Sequence, residues 1–183
     1  TVGEYETSEI AADYPVHFYV KDPNGAEEKP EPEPDPEPSV NEYVKEIEVG
    51  KAYKFFINQE GLGKVLYFTG AMDGYYGATT EVFAEGVDVF LEEVEGGYNL
   101  YTMVSGAKKY IIAEYTGTHK NFKYVDSPAT PWTYNAEYNT IVTVVEGLEL
   151  FIGTRGTYNT IGAYETNTIA NSYPVHFYEE VED

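Results

Sequence analysis

The 183-residue chain contains no cysteine. That excludes a disulfide framework, thiolate zinc sites and a cysteine nucleophile. Basic residues are scarce: 11 lysines and arginines face 32 aspartates and glutamates, for a formal net charge of -21. A surface of that sign repels phosphate backbones and anionic lipid headgroups, so nucleic acid and membrane surfaces are poor partners. Calcium ions or a basic protein are compatible with it, and solubility alone is a sufficient reason for such a charge. No apolar run is long enough to span a bilayer, no secretory leader is recognisable, and residue 1 is threonine rather than an initiator methionine. The expectation is a piece cut from a longer chain, without membrane insertion.

Catalytic equipment is equally sparse. The three histidines are His17, His119 and His176. No Gly-x-Ser-x-Gly elbow, His-Glu-x-x-His pair, Walker loop or Asp-x-Asp-x-Asp-Gly calcium loop occurs. Adjacent acids such as Glu92-Glu93 and Glu179-Glu180 follow predicted strands, where solvated loop ends account for them. Glycoside hydrolysis would need two carboxylates held about 5–10 Å apart across a cleft. No catalytic residue, metal or cofactor is expected, and the chain is read as a non-enzyme.

Apolar residues, by contrast, make up 42% of the chain and aromatics 16%, with 19 tyrosines. Tyr, Val, Thr, Phe and Ile suit a pleated, half-buried surface, so the balance leans to strand. Residues 1–19, TVGEYETSEIAADYPVHFY, nearly repeat at 160–178 as TIGAYETNTIANSYPVHFY, at a constant offset of 159 residues. A period that long suits a whole domain plus its linker. Residues 1–20 therefore read as the C-terminal remnant of a preceding homologous module. Residues 21–45 read as a linker, in which Pro30, Pro32, Pro34, Pro36 and Pro38 are separated largely by acids. Proline fixes φ and donates no ladder hydrogen bond, and the intervening like charges repel, so the spacer is stiff and extended at roughly 3 Å per residue.

Within residues 46–183 a shorter repeat emerges. Val89, Trp132 and Val175 are spaced 43 residues apart, as are Leu91, Tyr134 and Phe177. Each lies in a run that alternates large apolar residues with others, as a strand with one buried face does. Three further sets of strand-like runs fall between them, separated by Gly-containing turns such as Glu95-Gly96-Gly97 and Glu146-Gly147. His176 aligns with Phe90 and Thr133 in this pattern, so it reads as a strand residue facing away from the core. Trp132, aligned with two valines, reads as core.

Four strands in each of three units of this length resemble the β-trefoil, in the broad sense that covers ricin-B-like lectins and fascin-like domains. The resemblance implies an all-β fold in which six strands close a barrel and six hairpin strands cap it. A β-sandwich is the alternative, although it does not predict a 43-residue threefold repeat. Ricin-type lectins carry Gln-x-Trp near each sugar site; here the only glutamine is Gln59 and no such motif occurs. Lectin residues therefore have no positions to be carried onto.

Three equivalent loops, 71–76, 116–121 and 154–159, are the candidate binding surface. They supply Asp73, Tyr75, Tyr76, His119, Asn121, Tyr158 and Asn159. Rings stack on sugar faces, and Asp or Asn side chains hydrogen-bond to hydroxyls; well-made hairpin turns would have the same composition. The functional expectation is a binding or adhesion module of a secreted or surface-displayed bacterial protein, with an extracellular glycan or protein as ligand and avidity from tandem copies. The alternative is a structural spacer or fibre-forming module that self-associates through residues 1–20.

Overall fold

Alternating apolar and polar residues become strands throughout residues 47–179, the span that the computed structural model describes. The expected module remnant at 1–20 and linker at 21–45 lie outside the described residues. The described chain is all-β. Its strands are β1 (Ala52–Gln59), β2 (Lys64–Asp73), β3 (Tyr76–Thr80), β4 (Asp88–Val94), β5 (Gly97–Val104), β6 (Ala107–Tyr115) and β7 (Lys120–Val125), followed by β8 (Thr133–Asn135), β9 (Thr140–Val145), β10 (Leu148–Arg155), β11 (Thr160–Glu165), β12 (Ser172–Pro174) and β13 (His176–Tyr178). Short 3-10 turns occupy Glu60–Leu62, Phe83–Glu85 and Thr166–Asn171.

All strand pairs are antiparallel. The ladder runs β7-β6-β5-β4-β1-β2-β3-β11-β10-β9-β8, with β12 on β10 and β13 on β1. Tyr98 and Trp132 exchange backbone hydrogen bonds of 2.8 Å each way, which adds an isolated bridge from β5 to the residue before β8. The turns between strands follow backbone geometry. Between β9 and β10, Glu146 and Gly147 sit at φ 51° and 81°, the paired positive dihedrals of a two-residue hairpin loop whose twist matches its strands.

Beside a small cluster of Val142, Phe151 and Ile169, one large cluster forms the main core. In β1 the side chains of Tyr53, Phe55 and Ile57 enter it from alternate positions. Val89, Trp132 and Val175 are all buried in that cluster, together with Leu91 and Phe177, and Tyr134 packs against it. The indole N–H of Trp132 donates to the Ile111 carbonyl at 2.9 Å, so its polar atom is satisfied inside the core.

One departure from the sequence pattern changes the strand pairing. The run 173–178, expected as a single strand, divides at Val175: Pro174 opposes Gly153 of β10, whereas His176–Tyr178 opposes β1. Proline has no N–H for a continuing ladder, and Val175 donates to Ile152 as the chain changes partner. His176, expected as a strand residue facing away from the core, lies in β13 outside the core cluster and is half-buried. Its ring lies 6.1 Å from that of Phe56, which is 2% exposed, and Tyr67, Phe83 and Tyr178 extend the same outer aromatic layer.

Candidate functional site

Three hairpins, β2–β3, β6–β7 and β10–β11, are drawn together by their backbones and by rings. Residues Gly77 and Ala78 of β3 pair with Ile161 and Thr160 of β11. The Phe122 N–H of β7 donates to the Tyr75 carbonyl at 3.0 Å. Phe68 and Phe122 meet edge to face at 5.5 Å. Thr79 donates its hydroxyl to the Asn159 carbonyl at 2.6 Å, and Lys120 pairs with Glu165 at 2.6 Å. Anchors on this framework are held by neighbouring strands rather than by free loops.

Tyr158 has the most strongly braced backbone of the candidate residues. Gln59 and Thr154, both fully buried, each donate to its carbonyl at 3.0 Å, and Gln59 also reaches the Gly156 carbonyl at 3.4 Å. The side chain of Tyr158 nevertheless remains 63% exposed. Tyr76, 44% exposed, lies against Gly162 of β11. A Cβ at Gly162 would stand 3.0 Å from the Tyr76 ring and 3.1 Å from the Tyr164 hydroxyl, so the missing side chain is what lets both tyrosines close over the strand.

Tyr164 joins this group from β11. Burial raises its phenol above the ordinary value; Tyr76 and Tyr158 push the same way, and Arg155 opposes them. The Arg155 guanidinium lies 5.6 Å from the Tyr164 ring centre. The Tyr158 N–H donates to the Arg155 carbonyl at 3.2 Å, so Tyr76 and Tyr164 over Gly162, Arg155 beside Tyr164, and Tyr158 one turn on from Arg155 form one neighbourhood around β3, β10 and β11.

The other expected residues distribute differently. Tyr75 is 56% exposed at the β2–β3 turn, and Asp73, also exposed, opposes Tyr76 across that hairpin. Asn159 is exposed beside Tyr158, with its backbone carbonyl taken by Thr79. His119 is exposed at the separate β6–β7 tip, in a turn closed by the Thr116 N–H donating to its carbonyl at 3.0 Å. Asn121 corrects the loop expectation. It lies within β7, 2% exposed, donating to Glu114 at 3.1 Å, while Glu114 is also paired with Lys123. Its amide N–H is engaged within the sheet, while its Oδ1 is buried with no hydrogen-bond partner among the described residues.

Sequence reasoning missed Tyr164, Arg155 and the bracing Gln59. Two of these carry a weak signal, since each is the single residue of its type in the chain. Elsewhere, Phe90, Tyr101 and Tyr110 form an outward aromatic row across β4, β5 and β6, but Lys108 already covers Tyr101 at 3.9 Å and pairs with Glu92. A depression lined by Asn99, Tyr110, Ile112, Pro128 and Trp132 encloses no room for even a water-sized sphere, so it is not a small-molecule pocket.

No family model matches the chain, and comparison with curated proteins and with solved structures finds no significant match. Among the described residues, no helix is long and apolar enough to cross a membrane.

Proposed function

We propose that this chain is a non-catalytic binding module of a secreted, bacterial surface-displayed protein, built as a β-trefoil, whose hairpin-end tyrosines hold a glycan. The trefoil reading is supported by the shared burial of Val89, Trp132 and Val175 and by the convergence of three hairpins. It is supported further by pairings between outer strands of successive units, namely β4 with β5, β8 with β9, and β13 with β1. Surface display is supported by the acidic, cysteine-free composition and the Pro-Glu spacer.

The observation that carries the binding reading is that Tyr158 stays 63% exposed above a carbonyl fixed by two fully buried donors. A large ring held in water on a rigid support is a stacking platform that loses little conformational freedom on binding. A glycan array probed with the chain tests this. Tyr76→Ala and Tyr158→Ala should each weaken retained glycans by about fivefold. An array without signal, from protein whose thermal unfolding is normal, would reject the reading.

A second reading, a self-associating structural module, is supported by the repeat itself. Ile169, Val175 and Phe177 are buried, and the same residues stand at 10, 16 and 18. Against a full exchange, Glu4 stands where Ala163 is 4% exposed, and burying that carboxylate unpaired is costly. Sedimentation with and without residues 1–20 separates the readings: a monomer in both cases removes the second.

A further inference from the structure

Every lysine among the described residues has a carboxylate partner. Lys51 pairs with Glu48 and Glu179, Lys54 with Asp88, Lys64 with Glu81, Lys108 with Glu92, Lys109 with Asp126, Lys120 with Glu165 and Lys123 with Glu114. Arg155 does not follow this pattern. It is the only arginine of the chain, it is exposed, and among the described residues no carboxylate lies within ion-pair distance of it. In a chain with 32 acids and 11 bases, acids are in large excess around any cation. The one described arginine or lysine that no described carboxylate pairs with stands beside Tyr164, in the neighbourhood of Tyr76 and Tyr158.

Arginine and lysine differ in what they recognise. The guanidinium is planar and permanently charged, and it presents paired N–H donors that match a carboxylate or sulfate in a bidentate contact. It is also less strongly hydrated than an ammonium, so contact with an anion costs less desolvation. An exposed aromatic ring beside it supplies the apolar surface on which a pyranose face stacks. The overall negative field repels an approaching anion, but screening confines that field to about 8 Å at physiological salt. A contacting group therefore feels chiefly the nearest charge.

We propose that Arg155, beside Tyr164 and in one turn with Tyr158, selects acidic saccharides, its guanidinium gripping a ring carboxylate or sulfate while a tyrosine stacks on the sugar. This rests on the glycan-binding reading and narrows it to a ligand class. It also accounts for an arginine in a chain whose other bases are all lysine.

The test uses the full chain on an array of matched pairs: each uronate-bearing saccharide beside its methyl ester, and each sulfated saccharide beside its unsulfated parent. The acidic member of a pair should bind at least about tenfold more tightly, the size of a hydrogen-bonded charge contact. Arg155→Gln should bring that ratio toward one, and Arg155→Lys should restore it only in part. Lys109→Gln, which removes the same charge from a residue paired with Asp126, should leave the ratio intact. Unchanged thermal unfolding of each variant keeps the comparison on binding. Equal binding within pairs, or an acidic preference that survives Arg155→Gln, would overturn the selectivity while leaving glycan binding standing. Silence across the whole array would remove both. Which anion is retained identifies the group that Arg155 reads.

Discussion

His176 illustrates how one side chain sets a pH limit on the fold. Its ring lies against Phe56, and Nδ1 sits 2.8 Å from the Asn139 carbonyl, which can only accept, so that nitrogen carries the proton. Burial pushes the imidazole below its ordinary value of 6.5, and the bond to Asn139 opposes the shift only in part. On acidification the unfolded chain takes up this proton first. The stabilisation is therefore complete above the ordinary value and is lost as pH falls toward the depressed one. Unfolding temperature should drop between about pH 7 and pH 5, and His176→Gln should flatten that part of the curve; an unchanged slope would assign it elsewhere. Glu114 and Glu165, held below the ordinary carboxylate range chiefly by Lys123 and Lys120, act in a lower window, their contribution fading as pH falls below 4.5. Trp132 offers a second check at this scale. It is 1% exposed and is the only tryptophan, so intrinsic emission should be blue-shifted and poorly quenched by acrylamide. A water-like spectrum would remove it from the core.

Among the elements, β11 does most to assemble the tyrosine neighbourhood, because Gly162 makes room for two tyrosines from one strand position. A methyl group there would press on the Tyr76 ring at 3.0 Å, and an exposed ring can swing away. Gly162→Ala should thus cost less than about 1 kcal/mol in denaturant unfolding while weakening glycan retention nearly as much as Tyr76→Ala. A large loss of stability with binding intact would show the opposite. This is also the scale at which the sequence was most and least legible. Alternation in 53–57 and turns such as Glu146-Gly147 announce strands and hairpins directly, because local sterics decide them. The split at Val175 was hidden, since it depends on which partner each half of the run meets. Asn121 looked like a loop residue because its neighbours are turn formers, yet its place in β7 is set by pairing with β6. Tyr164 and Arg155 were not among the expected site residues because what unites them with Tyr76 is the β3–β11 pairing, a contact between segments about 80 residues apart that no local pattern encodes.

At the level of the whole molecule, charge and topology act together. Seven lysines of the described span are engaged in ion pairs at a surface where each pair contributes little, whereas the formal charge of -21 repels itself throughout. Screening should relieve the repulsion more than it weakens the pairs. The unfolding temperature should accordingly rise as sodium chloride goes from about 10 to 150 mM; a fall would mean that the pairs dominate. The pairing of β13 with β1 has a consequence of another kind. Phe55 opposes Phe177 across more than a hundred residues of intervening chain, so during synthesis β1 can pair with β2 and β4 well before the strand that fills the place between them has left the ribosome. Three residues, His176 to Tyr178, supply that late contact, and a protease that clips just before them would leave β1 joined to β2 and β4 with its middle uncovered.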